Sequence, residues 1–472
     1  MKKNKPREIK ELDIESIAFE GKALARHDNL VYFIRNAVPG DKVIAEITKR
    51  KKSWREGFLK ELIIPSPYRV RPECRYFGIC GGCSWQNLDY SKQLYWKKKH
   101  VEDAFKRIGK IDTGTVHEPI PSDLIYRYRN KMEFSFGASR WLTETEIDGG
   151  GEPANKHFAL GLHVPERFDK VLDIEGCMIQ CEAADRLLRL VKQKSLDYGV
   201  RAYHSRAQTG FLRNLVIRNS NQGQLMAILI TNTPETEEDR QFLDWYYNSL
   251  NIHEYGIHSL IHAVNSSKAE IAVGEIVFTR GDSQIYEEIL GIRYKVSPFS
   301  FFQTNSIQLN NFISKIIEAA EIKTNETVWD LYCGTGSITL PASKQAQRII
   351  GFELAESSVA DAKSNALINQ IDNAEFQCLD LHGKGIGEVL ADYPQPDKII
   401  IDPPRAGMHP ALAEYLASCG FPVIVYVSCN PATQARDCGM LSHSYEIIEM
   451  FPYDMFPHTS HIENIALLRL KT

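Results

Sequence analysis

From Glu326 onward the chain alternates short apolar runs with helical segments, and that alternation leaves few folds open. Seven runs read as strands: Thr327–Leu331, Arg348–Glu353, Ala374–Leu379, Lys398–Ile401, Val423–Val427, Glu446–Phe451 and Ile465–Leu470. Apolar helical segments separate the first five, which is the pattern of a doubly wound α/β sheet. The fifth run, Val423-Ile-Val-Tyr-Val427, is apolar throughout, as a strand buried on both faces must be. It stops at Ser428-Cys429-Asn430-Pro431, where the proline forbids further ladder pairing. Cys429 is therefore expected at the carboxyl edge of the sheet, where open α/β folds hold their ligands.

Other strand ends carry the same logic. The first run ends in Asp330-Leu-Tyr332-Cys-Gly334-Thr-Gly336-Ser337. Glycine-x-glycine after a strand lets a cofactor approach the backbone closely. The third glycine of the dinucleotide fingerprint is absent. The second run ends in Gly351-Phe-Glu353. An acid about 20 residues past a glycine-rich turn suits a ribose diol. Together they predict an adenosine-type cofactor. The fourth run ends in Asp402-Pro-Pro-Arg405-Ala-Gly407, where two prolines stiffen a turn around an acid at the sheet edge.

The amino-terminal part differs in charge and in pattern. Residues 1–110 carry 25 Lys/Arg against 14 Asp/Glu, a net of +11, whereas the remainder carries 31 against 46, a net of −15. A basic quarter on an acidic body points to a polyanion-facing module. Within it, Asp13–Phe19, Ala23–His27, Leu30–Phe33, Lys42–Thr48 and Glu56–Ile64 read as strands punctuated by Gly21, Asn29 and Pro39-Gly-Asp41. That spacing predicts a small OB-like barrel. Lys49-Arg-Lys-Lys-Ser-Trp54-Arg55 interleaves cations with an indole, which suits phosphate contact plus base stacking. Tyr90–Ile108 is helical in pattern and basic, and a solvated face is expected for its lysines.

Residues 124–280 predict a mixed α+β region, with strands Tyr128–Phe136, Ala159–His163, Leu215–Ser220 and Gln224–Thr231. Glu237–Asn248 reads as a helix capped by Thr236. Tyr126-Arg-Tyr-Arg-Asn-Lys131 is basic and aromatic and suits nucleic acid, and Asp148-Gly-Gly-Gly151 reads as a flexible loop.

Three of the ten cysteines form Cys74-x5-Cys80-Gly-Gly-Cys83. The glycine pair lets neighbouring thiolates converge, and soft thiolates select zinc or an iron–sulfur cluster. Cys177 or Cys181 supplies the fourth ligand. No apolar run approaches the ~20 residues that span a bilayer, and no apolar signal region follows the basic start, so a cytoplasmic protein is expected.

In this order, Ser300-Phe-Phe-Gln303-Thr-Asn305, Asp330 to Gly336, Gly351-Phe-Glu353, Asp402 to Gly407, Ser428 to Pro431 and His461-Ile-Glu463-Asn464 resemble the S-adenosylmethionine-dependent RNA uridine-C5 methyltransferases. The amino-terminal strands resemble a TRAM domain. The cysteines resemble the iron–sulfur motif of the 23S ribosomal RNA branch, with Cys177 as fourth ligand. The resemblance spans nearly the whole chain and is weakest over residues 185–285. It implies a TRAM-like barrel over 1–67, a cluster-bearing central domain over 68–285 and a Rossmann-like methyltransferase domain over 286–472. It implies Cys429 as the nucleophile at uracil C6 and Glu463 as the base at C5. It puts Gln303, Tyr332, Gly334, Glu353, Asp402 and, after the third strand, Asp380 at the cofactor, and Phe301 or Phe302 against the target base. A [4Fe–4S] cluster on Cys74, Cys80, Cys83 and Cys177, a 23S ribosomal RNA substrate and a monomeric state complete the expectation. The alternatives are the same reaction on transfer RNA, and a ribosome-assembly factor that binds RNA without catalysis; intact Cys429 and Glu463 argue against the latter.

Overall fold

The computed structural model describes residues 8–111, 114–148, 155–269, 271–383 and 385–471. The basic start over residues 1–7 and the glycines of the 148–151 stretch lie outside them. The chain divides into two compact units, one comprising Met1–Glu73, Cys83–Asp123 and Gln308–Thr472, the other Cys74–Gly82 and Leu124–Ile307.

The first unit holds the α/β sheet. Its strands are β1 (Thr327–Leu331), β2 (Arg348–Glu353), β3 (Ala374–Cys378), β4 (Lys398–Ile401), β5 (Val423–Ser428), β6 (Tyr445–Tyr453) and β7 (Glu463–Leu470). They stand in the order β3-β2-β1-β4-β5-β7-β6, with the two-residue strand Thr115–Val116 added beside β6. β1 to β5 run parallel, and β7 enters antiparallel between β5 and β6. Helices cover both faces, so all four residues of β4 and all six of β5 are buried. Trp329, Ile350, Phe352, Ile399, Ile401, Ile424 and Tyr426 form the core between sheet and helices.

The same unit contains a six-stranded sheet, ordered Glu8–Asp13, Lys42–Arg50, Trp54–Ile64, Leu30–Arg35, Ala23–His27 and Ser16–Ile17. It wraps a core of Leu12, Ala23, Ala25, Tyr32, Ile34, Val43, Ala45 and Ile47. The expected Asp13–Phe19 strand is shortened to Ser16–Ile17, and Glu8–Asp13 is a further strand before it. The chain leaves the ladder at Ile14, whose N–H donates to Asp41 O at 2.9 Å and whose carbonyl accepts from Gly40 N at 2.8 Å. The helix Tyr90–Ala104 continues as a π-turn over Phe105–Gly109. Its face is less solvated than its lysines suggested: Lys97 and His100 are buried. No helix among the described residues is long and apolar enough to cross a membrane.

The second unit is built on an eight-stranded sheet, with Lys131–Gly137, Leu212–Asn219, Leu225–Thr231 and Ile257–Val264 at its centre. Helix Glu182–Asp197 packs on it through Leu187, Leu188 and Val191. Helix Glu237–Asp244 starts at the Thr236 cap, which forms a capping box with Asp239. Part of the Tyr126–Lys131 stretch is used internally, while Tyr126, Arg129 and Lys131 remain half-buried. Arg127 donates to Cys177 O at 2.9 Å, to Gln180 O at 2.6 Å and to the Asp185 carboxylate at 2.7 Å, and Tyr128 is buried.

Candidate active site

The carboxyl ends of β1, β2 and β4 are stitched together by backbone bonds. Cys333 N–H donates to Phe352 O at 3.0 Å, and Asp402 N–H to Leu331 O at 3.2 Å. Asp330, Glu353 and Asp402 thereby crowd one edge. Burial, reinforced by Asp402 and Glu353, pushes the Asp330 carboxyl up to about 7, and burial alone pushes Asp402 up to about 7. Thr339 Oγ1 holds Asp330 Oδ2 at 2.5 Å, while Asp330 Oδ1 is buried with no hydrogen bond among the described residues. Glu353 receives Gly334 N–H at 3.1 Å and Ala355 N–H at 2.9 Å.

Tyr332 sits at φ 68°, a backbone conformation that costs a non-glycine residue about 1–3 kcal/mol and clusters at ligand sites. Its hydroxyl is buried beside the His409 backbone. Gly334 has φ +55° and nothing within 4 Å of where a Cβ would stand, so open space faces the loop backbone. Asp380 follows β3 and is exposed; its Oδ1 takes His382 N–H at 2.8 Å, and the His382 ring meets Tyr332 edge-on at 5.8 Å. The unsatisfied Asp330 oxygen, a bare glycine loop and convergent carboxylates fit an adenosine cofactor that carries a cationic sulfur.

On the other side of β4, Cys429 stands just past β5 and two residues before the helix Pro431–Leu441. Asn430 caps that helix, accepting Ala432 N–H at 3.1 Å, and donates from Nδ2 to Arg405 O at 3.1 Å. Thr433 Oγ1 donates to the same carbonyl at 3.2 Å. The Asp402–Gly407 turn is thus pinned beside Cys429. Burial pushes the Cys429 thiol up to about 11; Glu463 and Asp402 add to this, and the Arg405 guanidinium opposes it through its charge and a hydrogen bond. Glu463 is 7% exposed, and its carboxyl is held well above the usual range by burial and by Asp402, again opposed by Arg405. Glu463, Asp402 and Arg405 therefore all lie within electrostatic reach of Cys429 at one strand edge.

Gln434 and Asp437, which carry no signal in the sequence, help fix this edge together with Asn464. Gln434 Nε2 bridges Tyr426 O at 2.8 Å and Asn464 O at 3.1 Å, and Asn464 Nδ2 returns a bond to Gln434 Oε1 at 2.8 Å. This locks β7 against β5 one residue from Glu463, where Asn464 pairs with Ser428. Asp437, fully buried, accepts Met408 N–H at 2.8 Å and Tyr426 Oη at 2.6 Å.

Gln303 belongs to the second unit. There Asn130 Nδ2 holds its carbonyl at 3.0 Å, along with Glu287 at 3.1 Å and Ser306 at 3.2 Å, and buried Arg218 holds the carbonyls of Ser297 and Ser300. Phe302 is buried against Tyr294, whereas Phe301 is 72% exposed. A separate cavity of about 680 Å³, lined by Phe136, His163, Phe168, Tyr203 and Arg213, opens in this unit, and none of the expected site residues lines it.

The cysteine set is only partly assembled. In the second unit Cys80, Cys177 and Cys181 flank one core, and Cys74 lies within electrostatic reach of Cys80. Cys83 belongs to the first unit. Among the described residues, no group of three or more His, Cys, Asp or Glu side chains is arranged to hold a metal ion.

Known proteins share both the modules and the whole chain length. A family model described as tRNA (uracil-5-)-methyltransferase matches residues 283–471, and a TRAM domain model matches residues 3–57. An uncharacterized RNA methyltransferase of Bacteroides thetaiotaomicron is 41% identical over 463 residues, covering 96% of this chain and 100% of the relative. Another, of Porphyromonas gingivalis, is 35% identical over 97% of this chain and 99% of its own. The crystal structure of Pyrococcus abyssi tRNA (uracil-54, C5)-methyltransferase with S-adenosyl-L-homocysteine is 28% identical, with a TM-score of 0.74 over 97% of this chain and 100% of that one. With the strand-edge cluster of Cys429, Glu463 and Asp402 carried on a sheet of that kind, the chain belongs to the family of S-adenosylmethionine-dependent RNA uracil-C5 methyltransferases, here with a TRAM domain at the amino-terminal end.

Proposed function

We propose that this protein converts a uridine of 23S ribosomal RNA to 5-methyluridine, with Cys429 as nucleophile and Glu463 as base. The observation that carries the chemistry is that β5 and β7 pair with Ser428 opposite Asn464, so Cys429 and Glu463 stand at the same sheet edge, with Asp402 and Arg405 within electrostatic reach of both. Uracil C5 is a poor nucleophile. Deprotonated Cys429 attacks C6, and the ring electrons move onto O4 as an enolate that is nucleophilic at C5. S-adenosylmethionine, when bound, supplies an electrophilic methyl carbon. C5 takes that methyl, and Glu463 removes the C5 proton. The C5–H electron pair re-forms the C5–C6 double bond and expels the Cys429 thiolate. Covalent catalysis thus divides one difficult step into easier ones. Glu463, with its raised carboxyl pKa, is a strong base once ionised. Glu353 is the proposed ribose ligand, with Tyr332, Gly334, Asp402, Asp380 and Gln303 around the rest of the cofactor and Phe301 against the target base. The division at residues 67/68 and 285/286 is part of the same proposal.

The pH dependence follows from Cys429. Only about one thiol in 10³ is ionised at pH 8 when its pKa is near 11. kcat/KM should therefore rise about tenfold per pH unit between pH 7 and 9. Arg405→Met removes the charge that lowers the thiol, so kcat at pH 8 should fall about three- to tenfold and the rise should extend to higher pH. A flat profile in both proteins would reject a thiol of raised pKa as the reacting group.

Two observations favour different RNAs. The cysteine spacing supports ribosomal RNA, whereas the matched family model and the Pyrococcus structure, which aligns with 97% of this chain, are named for transfer RNA. Mass-spectrometric mapping of 5-methyluridine in cells lacking the gene separates them. Loss from 23S ribosomal RNA alone is the expected result; loss from transfer RNA alone would overturn the assignment. The cluster proposal rests on the spacing of Cys74, Cys80, Cys83 and Cys177, since the described side chains do not assemble a ready metal site, and no reaction step is routed through it. Anaerobically purified protein should carry iron and acid-labile sulfide, and zinc alone or no metal would reject it.

A further inference from the structure

The nine residues Asp454–Ile462 lead from β6 into Glu463, and their path is set from outside the catalytic sheet. Asp454 Oδ1 takes Lys97 Nζ at 2.5 Å and Phe456 N–H at 3.0 Å, and Lys97 Nζ also donates to Phe456 O at 3.1 Å. Both charged side chains are 0% exposed. Four residues after Asp454, His458 adopts φ 64°. Its N–H donates to Gln93 Oε1 at 2.9 Å and its ring Nδ1 lies 3.2 Å from Gln93 Nε2. Its carbonyl accepts Ser84 N–H at 2.9 Å and Trp85 N–H at 3.0 Å. Lys97 and Gln93 stand one turn apart on the helix Tyr90–Ala104.

The amino-terminal barrel completes the clamp. Trp85 Nε1 donates to Gly21 O at 2.9 Å, and His100 Nε2 lies 3.1 Å from Ile17 O. A Cβ at Gly21 would stand 2.8 Å from Ser460 Cβ, so only a glycine turn lets barrel and segment meet. At the far end, His461 N–H donates to Thr459 Oγ1 at 3.2 Å, and His461 Nδ1 lies 3.4 Å from Arg405 Nη2.

Stability alone does not account for Lys97 and Asp454. A buried ion pair is often no more stabilising than an apolar pair of the same volume, and its better attested use is to specify one arrangement. Here it specifies the approach to Glu463. We propose that Lys97 and Asp454, with Gln93 and His458, are positioning residues for Glu463, through which the barrel and its following helix set the elimination step rather than only delivering RNA. The inference rests on Glu463 being the base.

The test separates that step from folding. Lys97→Met/Asp454→Asn removes both charges while keeping side-chain volume, and Gln93→Met removes the His458 contacts without touching a charge. Below each variant's Tm, single-turnover methyl transfer into RNA should stay within about twofold of wild type. Release of RNA should slow at least tenfold, so that a denaturation-resistant protein–RNA adduct accumulates. A structural role alone would lower adduct and product together and leave their ratio unchanged, and that result overturns the inference; so does normal release from both variants. Should the double variant fail to fold, Gln93→Met decides. Glu463→Gln run alongside reports on the base assignment separately: adduct with Glu463→Gln but none with the clamp variants sinks this inference and leaves the base standing.

Discussion

Glu463→Gln should transfer the methyl group and then stall. The amide keeps the shape of the carboxyl but cannot take the C5 proton, so elimination should slow by about 10²- to 10⁴-fold. The methylated RNA should remain bonded to the protein, visible as a complex that survives denaturing electrophoresis. Burial explains why this carboxyl tolerates the change. Burial and Asp402 both raise the Glu463 carboxyl, so the site disfavours its charged form and a neutral amide of the same shape suits the space. Substitution should therefore leave the fold intact, or stabilise it slightly above neutral pH. The sign is clear. A folded-state carboxyl pKa raised above the unfolded value gives stability that is complete at low pH and is lost as pH rises through the folded value. Glutamine removes that loss. RNA release at the wild-type rate would reject Glu463 as the base.

Cys429→Ala should abolish both turnover and adduct. Nothing else at this edge can replace the thiolate: Ser428 Oγ is tied to the Asn430 backbone at 3.1 Å, and Cys333 is buried beneath Gly351. The loss should reach about 10⁴-fold or more, as when the nucleophile of a covalent mechanism is removed. Binding of S-adenosylmethionine should survive, because Asp330, Glu353 and the Gly334 loop lie on the far side of β4 from Cys429. Retained methylation, measured by transfer of labelled methyl to RNA, would show that the thiol is not the nucleophile.

The catalytic sheet was largely legible from sequence because its strands are buried on both faces. Continuous apolar runs ending in glycine, proline or an acid leave little choice of boundary, and Thr327–Leu331, Arg348–Glu353 and Lys398–Ile401 fall where the pattern puts them. The barrel was harder. Its half-exposed strands have weak contrast, and Glu8–Asp13 is a charged run whose partner, Lys42–Ile47, is about 30 residues away. Charge misled most where a cation is internal. Lys97 reads as one solvated lysine among several, since its partner Asp454 is 357 residues distant. Arg127, in a stretch that suits nucleic acid, instead ties together the Cys177–Asp185 turn. Gln434, which clamps Asn464, leaves no local trace, because a buried polar pair is defined by the space around it rather than by neighbours in sequence.

The most direct test uses RNA in which uridine is replaced by 5-fluorouridine, taken from cells grown on 5-fluorouracil. Fluorine at C5 leaves no proton for Glu463, so the reaction must halt after methyl transfer. The account predicts a stable complex of protein and RNA carrying one added methyl group, with peptide mapping placing the bond on Cys429. No complex, or a bond to any other residue, would contradict it.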